Sequence, residues 1–106
     1  MNADNIFDDS QPPRSGECFR EILHHRNCVI ERIVSSSDLV PEECVQRQDE
    51  WVLLVRGSAE LRVRDERVSL HAGDYLFLPA ETPHSVMSAS EGAMWLAVHL
   101  YPEKED

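Results

Sequence analysis

Turn-forming residues interrupt this chain at short and regular intervals, and that spacing limits its fold more than any other feature of the sequence. Ser35–Asp38, Asp65-Glu66, His71–Asp74 and Ser88–Gly92 each separate short runs rich in β-branched, aromatic and other apolar residues. About eight such runs can be counted, and helical periodicity is almost absent. The pattern predicts an all-β protein, built as an antiparallel sandwich or barrel.

In two of these runs, the order of apolar and charged residues predicts how many faces of the strand are buried. Trp51–Arg56 is a nearly continuous apolar run that ends at Gly57, which predicts a strand buried on both faces at the centre of the sheet. In residues 59–64 apolar and charged residues alternate, which predicts a strand with one face in the core and one in water. The Cys18–His25 segment suits either a helical turn or a strand, and periodicity does not decide between them.

Length and charge narrow the class of protein. A chain of 106 residues builds one domain with a modest core. The formal net charge is −10, from 10 Lys and Arg against 20 Asp and Glu. Such a surface repels nucleic-acid phosphates and anionic lipid, so we expect neither nucleic acid nor a membrane as a partner.

The cysteines and the first residues of the chain indicate where the protein works. Cys18, Cys28 and Cys44 are odd in number and form no C-x-x-C pair, whereas disulfide scaffolds carry an even and dense set. Residues 1–9 contain several aspartates and no apolar run, so we expect neither a signal peptide nor a transmembrane span there. Both observations predict a cytoplasmic protein.

A segment in the second half of the chain resembles the second motif of the cupin superfamily, G(x)5PxG(x)2H(x)3N, at three of its five fixed positions. Gly73, Pro79 and His84 reproduce its spacing, while Glu81 and Ser88 stand where a glycine and an asparagine are usual. The spacing has a physical basis. Gly73 suits a hairpin turn and Pro79 stiffens the next corner, so His84 emerges facing the barrel interior.

The first cupin motif, G(x)5HxH(x)3-4E(x)6G, is matched only in part. Glu50 and Gly57 fit its second half, but Cys44 and Gln46 occupy the positions of the two histidines. From Asn5 to Glu103 the chain nevertheless resembles a group of small stand-alone bacterial cupins, in which a Gln precedes the Glu-Trp pair by four residues.

This resemblance implies a single-domain antiparallel jelly-roll (cupin) β-barrel over residues 17–103. Residues 1–16 are polar and broken by two prolines, so we expect a poorly ordered N-terminal arm, and residues 104–106 form a charged tail. Small cupins of this kind are often homodimers and commonly hold a divalent metal in the mouth of the barrel. The resemblance implies no particular reaction, because cupins include enzymes, storage proteins and sensors.

The candidate site residues are those that the two motifs place in the barrel: Gln46, Glu50 and His84. A divalent metal such as Zn, Mn, Fe or Ni suits Glu50 and His84 and binds the neutral amide of Gln46 poorly, with Cys44 or His99 as a fourth group. Each residue also has a structural interpretation. Glu50 can pair with an arginine across the sheet, and His84 can make a structural hydrogen bond. Cys44 can be a small buried residue, and His99 can bond to a neighbour at a strand end.

Three functions stay open at this point. The first is binding of a small polar molecule in the barrel pocket, assisted by a divalent metal. The second is a non-catalytic, metal-free binding or regulatory module, which the loss of both motif histidines favours. The third is a small metal-dependent dioxygenase or isomerase in which Glu50 or His84 moves protons. The sequence identifies no substrate, and it contains neither a phosphate-binding loop nor a serine nucleophile elbow.

Overall fold

The computed structural model describes residues 1–103, and the charged tail predicted at residues 104–106 lies outside them. Residues 1–103 form eight strands and contain no helix long and apolar enough to cross a membrane. The all-β prediction is confirmed, and the segment that periodicity left undecided forms the first strand. The strands are β1 (Glu17–His25), β2 (Cys28–Ser35), β3 (Asp49–Arg56), β4 (Ser58–Val63), β5 (Glu66–His71), β6 (Tyr75–Leu78), β7 (His84–Ala89) and β8 (Met94–Leu100).

The strands pair in antiparallel fashion into two sheets that face each other. One has five strands in the order β1-β2-β8-β3-β6, and the other has three in the order β5-β4-β7. In the described part of the chain no continuous ladder joins the sheets, and the free edge of β7 carries only an isolated bridge between Cys44 and His84. The expected closed barrel is therefore wrong, and the structure is a two-sheet sandwich. Prolines between β6 and β7, which cannot donate to a ladder, help to keep the seam open.

The core lies between the two sheets. β3 is an internal strand between β8 and β6, but only one of its faces is fully buried, contrary to the prediction from its apolar run. Val52 and Leu54 point into the core and are 4% and 0% exposed, whereas Trp51 and Leu53 on the opposite face are half-buried. Inward side chains from both sheets complete the core: Ile33, Ala59, Leu61, Leu70, Leu78, Trp95 and Ala97.

A glycine follows β3 because no other residue fits there. Gly57 has a φ of +90°, which side chains strongly disfavour. A Cβ atom at this position would lie 2.5 Å from Ser90 Oγ and 3.0 Å from Ala93 Cα. The glycine therefore allows β3 to turn directly into β4 and lets the chain cross from one sheet to the other.

The outer face of the five-stranded sheet, turned away from the core, carries an apolar row that crosses all five strands. One row of register partners runs through all five strands and consists of Phe77, Trp51, Val98, Ile30 and Leu23. Phe77 is 57% exposed and Leu23 is 47% exposed. An antiparallel sheet that faces water usually alternates apolar and polar side chains, so this row differs from a solvated surface.

Two arginines hold the N-terminal segment, residues 1–16, against the outer face. The guanidinium of the buried Arg32 donates hydrogen bonds to three main-chain carbonyl oxygens within Ile6–Asp9, at 2.5–3.1 Å. Arg56 donates to the carbonyl oxygen of Ser10 at 3.1 Å. The segment forms no strand, and its weak order remains a prediction.

Candidate ligand-binding pocket

A cavity of about 670 Å³ opens between the two sheets. The five-stranded sheet and the three-stranded sheet both contribute side chains to it, so the sandwich itself creates the space. Polar side chains enter from β1, β2, β3, β7 and β8 and from the segment before β3. The apolar part of the wall includes Val52, Leu61, Leu78, Val86 and Trp95. An apolar cavity with a few convergent polar groups is typical of a small-molecule site.

The structure brings the three candidate residues to this cavity. Gln46 Nε2 donates a hydrogen bond of 2.7 Å to Glu50 Oε1, and His84 Nε2 lies 3.8 Å from the same oxygen. The side chains of His84 and Glu50 are 12% and 10% exposed. The carboxylate is therefore largely shielded from water, and its neighbours are a neutral amide and an imidazole.

The loop before β7 fixes the orientation of His84. The carbonyl oxygen of Thr82 lies 3.0 Å from His84 Nδ1, and since a carbonyl can only accept, Nδ1 carries the hydrogen. In the neutral ring Nε2 then presents a lone pair to Glu50. Three main-chain hydrogen bonds tie the two segments together: Cys44 and His84 exchange bonds of 2.7 and 3.0 Å, and the Glu81 amide donates to the Gln46 carbonyl at 2.7 Å.

Glu81 occupies the position of a motif glycine and adopts the kind of backbone conformation that glycine favours. Its φ is +66°, a left-handed conformation that glycine adopts without strain and that other residues rarely adopt. The backbone thus keeps the form that the motif predicts although the side chain differs. His84 lines the cavity despite this departure from the motif.

His99 lines the same cavity but is already bonded to other residues. On β8 it is the register partner of Glu50, its Nε2 lies 2.9 Å from Glu31 Oε1, and its Nδ1 lies 3.3 Å from Gln48 Nε2. The hydrogen bond to Glu31 is the main cause that raises the pKa of His99 above its usual value. The charge of Glu50 raises it further, and burial opposes the shift. His99 is therefore held as an ion-pair partner of Glu31.

Cys44 also borders the cavity, but its thiol is a poor metal ligand here. The residue is exposed, and its Sγ lies 3.9 Å from the carbonyl oxygen of Glu42. Desolvation of the thiol is the first cause that raises the pKa of Cys44, and the carboxylates of Glu50, Glu42 and Glu17 add to it. A thiol with a raised pKa stays protonated near neutral pH, whereas metals bind the thiolate.

The donor set does not fit the divalent metal that the family resemblance implies. Across the described residues, no three His, Cys, Asp or Glu side chains converge as a metal site. His84 Nε2 and Glu50 are suitable donors, but Gln46 turns its amide nitrogen toward Glu50, and His99 is bonded to Glu31. Transition-metal sites in proteins usually have at least three good donors.

Sequence reasoning did not single out Glu31 and Gln48, which hold His99, or Glu17. Glu17 accepts a 2.6 Å hydrogen bond from Ser35, whose oxygen in turn accepts one of 3.0 Å from the indole of Trp95 on the cavity wall. One signal was available, because Glu31 and Arg32 are adjacent charges inside an otherwise apolar strand. Charges in such a position are usually paired, one on each face.

Comparison with known proteins agrees with this architecture. The family described as Cupin domain matches residues 37–99, more than half of the chain. The chain therefore belongs to the cupin family. No curated protein matches it significantly.

Solved structures show the same fold. A Ralstonia eutropha JMP134 protein with a proposed mannose-6-phosphate isomerase activity is 29% identical, with a TM-score of 0.83, and the match covers 96% of this chain and all of that one. An RmlC-like cupin from Shewanella frigidimarina is 15% identical (TM-score 0.75, 89% and 84% covered). KdgF from a Halomonas species is 16% identical (TM-score 0.73, 84% and 82% covered).

Proposed function

We propose that the protein binds a small polar molecule in the pocket between its sheets, through Gln46, Glu50 and His84. One observation carries this proposal: Glu50 and His84, far apart in the sequence, place a carboxylate oxygen and an imidazole nitrogen 3.8 Å apart in a cavity of about 670 Å³. Because both side chains are nearly buried, polar groups of a ligand interact with them in a medium of low dielectric constant, where such contacts are strong.

A thermal-shift screen of metabolites tests this proposal. We expect at least one compound to raise the melting temperature of the wild-type protein and to lose that effect in Glu50→Ala and His84→Ala. A hydrogen bond to a charged group contributes about 1.5–3 kcal/mol, so Glu50→Ala should weaken binding about tenfold or more. Glu66→Ala, an exposed residue on β5, is the control and should keep the effect. A shift that persists unchanged in both pocket variants contradicts the proposal.

The divalent metal implied by the resemblance is tested with the same variants. Because the third donor is the amide of Gln46, we expect wild-type protein supplied with Zn, Mn, Fe or Ni to retain far less than one ion per chain after dialysis. His84→Ala should retain the same amount. One tightly held ion in the wild-type protein, lost in His84→Ala, would instead establish a metal site formed by Gln46, Glu50 and His84.

Sugar isomerisation is the second candidate function, favoured by the 29% identity to the Ralstonia protein over nearly the whole chain. The Glu50 carboxylate and the free Nε2 of His84 are suitable groups for moving a proton on a bound substrate. Turnover of a sugar that both alanine variants abolish would support an enzyme. Ligand binding without turnover would support the non-catalytic, regulatory alternative.

We also propose that two copies of the chain associate as a homodimer through the outer face. Its central row, which includes Phe77 and Trp51, is uncharged although the chain carries a net charge of −10, so two copies meet there without like-charge repulsion. Five strands about 4.8 Å apart span about 19 Å from the first strand axis to the last. Such a face approaches the roughly 800 Å² per partner that a standard interface buries.

Sedimentation equilibrium tests the dimer. We expect wild-type protein at twice the chain mass of 12.1 kDa, and Phe77→Glu at the chain mass, because the new charge would be buried without a partner. Val45→Glu is the matched control, since Val45 is 56% exposed and lies outside the outer face. A wild-type monomer, or equal effects of the two substitutions, would rule out this interface.

We also propose that the protein works in the cytoplasm and that it binds neither nucleic acid nor membranes. The three cysteines, Cys18, Cys28 and Cys44, are free thiols, which supports a cytoplasmic, reducing location. The net charge of −10 disfavours nucleic acid and anionic membrane surfaces as partners.

A further inference from the structure

The pocket is acidic and contains no permanent positive charge. Within residues 1–103, no Lys or Arg lines it. Its basic side chains are the histidines His84 and His99, and His99 is bonded to a carboxylate. The carboxylates that line it are Glu17, Glu31, Asp38, Glu42 and Glu50. An anionic ligand such as a sugar phosphate is repelled from such a cavity, and a cationic ligand is attracted.

Of these five carboxylates, only Glu50 is buried. Its side chain is nine-tenths buried, and its Oε1 receives a hydrogen bond from the neutral amide of Gln46. From residues 1–103 no hydrogen bond reaches its second oxygen, Oε2. A buried carboxylate is costly unless it is paired with a cation, so a positive group that enters the pocket gains a strong interaction with Glu50.

The space between Glu50 and His84 suits a hydrogen-bond donor. His84 Nδ1 donates to the Thr82 carbonyl, so when the ring is neutral Nε2 and Glu50 Oε1 are two acceptors facing each other at 3.8 Å. This distance is too long for a direct hydrogen bond. A nitrogen with two N–H groups can donate to both, at the usual charge-assisted distance of about 2.7–2.9 Å from the oxygen.

We propose that the pocket selects a small organic cation, an ammonium group on an apolar body. The ammonium donates to Glu50 and His84, and the apolar body lies against the wall that contains Val52, Leu61 and Trp95. This inference rests on the proposed function and names the ligand class of the same site. It also separates this pocket from one that binds a phosphorylated sugar, since a phosphate would need the cationic partners that the described lining lacks.

Three probes of similar shape and different charge test the inference: benzylamine, benzyl alcohol and benzoate. Their dissociation constants are measured by titrating the isotope-labelled full-length protein and following amide shifts in NMR spectra at neutral pH. We expect benzylamine to bind about tenfold or more tightly than benzyl alcohol, from the Coulomb attraction of a nearly buried carboxylate. Benzoate should bind most weakly. The shifts should be largest at the amides of Gln46, Glu50 and His84.

Two glutamate-to-glutamine substitutions complete the test. Glu50→Gln keeps the shape of the side chain and removes its charge. It should therefore weaken the binding of benzylamine about tenfold or more and leave the affinity for benzyl alcohol nearly unchanged. Glu66→Gln removes one charge from the surface of β5 and should change neither constant more than twofold. If Glu50→Gln does not give a folded spectrum, the charge series on wild-type protein decides alone.

The outcomes separate this inference from the proposed function. The cation selectivity is wrong if benzoate binds in the pocket as tightly as benzylamine, or if Glu50→Gln and Glu66→Gln lose the same benzylamine affinity. Either result would still support a small-molecule site. If no probe binds, the charge of the metabolite found by thermal shift decides: a cation supports the inference and an anion overturns it. If no metabolite binds either, both the proposed small-molecule site and the inferred cation selectivity are wrong.

Discussion

Arg32→Met lowers the free energy of unfolding by about 3 kcal/mol and loosens the N-terminal segment on the outer face, because three hydrogen bonds to a charged group are lost together. The Arg32 guanidinium is the donor to the carbonyl oxygens within Ile6–Asp9. Methionine fills a similar volume and recovers some burial. It also removes the Arg32 Nε, which is buried without a partner, so the loss stays below the sum of three bonds.

Urea unfolding and limited proteolysis together measure this effect. The matched control is Arg20→Met, since Arg20 is the register partner of Arg32 on β1 and is exposed. Its substitution should change stability by less than about 0.5 kcal/mol. Cleavage within residues 1–16 should accelerate in Arg32→Met only. Rapid cleavage of the wild-type segment would show that the predicted weak order of the arm persists despite the arginine contacts.

The pair formed by His99 and Glu31 makes stability depend on pH, and Glu31→Gln should remove most of that dependence. The pKa of His99 is raised in the folded state, chiefly by the hydrogen bond to Glu31. A raised pKa means that protonated His99 stabilises the fold. This contribution is complete below the unfolded value of about 6.5 and is lost as pH rises through the folded value. At pH 6, Glu31→Gln should cost about 1.5–3 kcal/mol, as expected for a hydrogen bond between charged partners.

Urea unfolding between pH 5.5 and 8.5 checks the sign and the size of this pH dependence of stability. Wild-type stability should fall with rising pH across this range, and the Glu31→Gln curve should be flatter. His24→Gln is the control, because His24 lies 3.4 Å from Glu21 in an exposed pair on β1, and exposed pairs contribute little. A wild-type curve that rises with pH, or a His24→Gln curve as flat as that of Glu31→Gln, would contradict the assignment to His99.

Local patterns in the sequence predicted much of the fold and part of the site. Alternation predicted that β4 has one buried face, and Leu61 on that face is 3% exposed. The spacing from Gly73 to Pro79 placed His84 at the start of a strand, where it borders the cavity. These features depend on the preferences of residues close together in the chain, which a single sequence displays directly.

The features that the sequence did not predict depend on register between strands distant in the chain. Glu31 meets His99 only because β2 lies beside β8, and nothing local to either residue indicates that pairing. The burial of Arg32 depends on where the N-terminal segment lies. Whether the sheets close into a barrel depends likewise on long-range pairing, which is why the expected closed barrel was wrong.

Three main-chain hydrogen bonds join the segment of Cys44 and Gln46 to the loop that ends at His84, so these two parts of the pocket form one hydrogen-bonded unit. A ligand that contacts Gln46 and His84 therefore meets groups already in position, and it does not have to order two independent loops. Since ordering of loops and side chains is a large part of the cost of association, such rigidity favours affinity from few contacts. It also limits how far the site can adapt to ligands of another size.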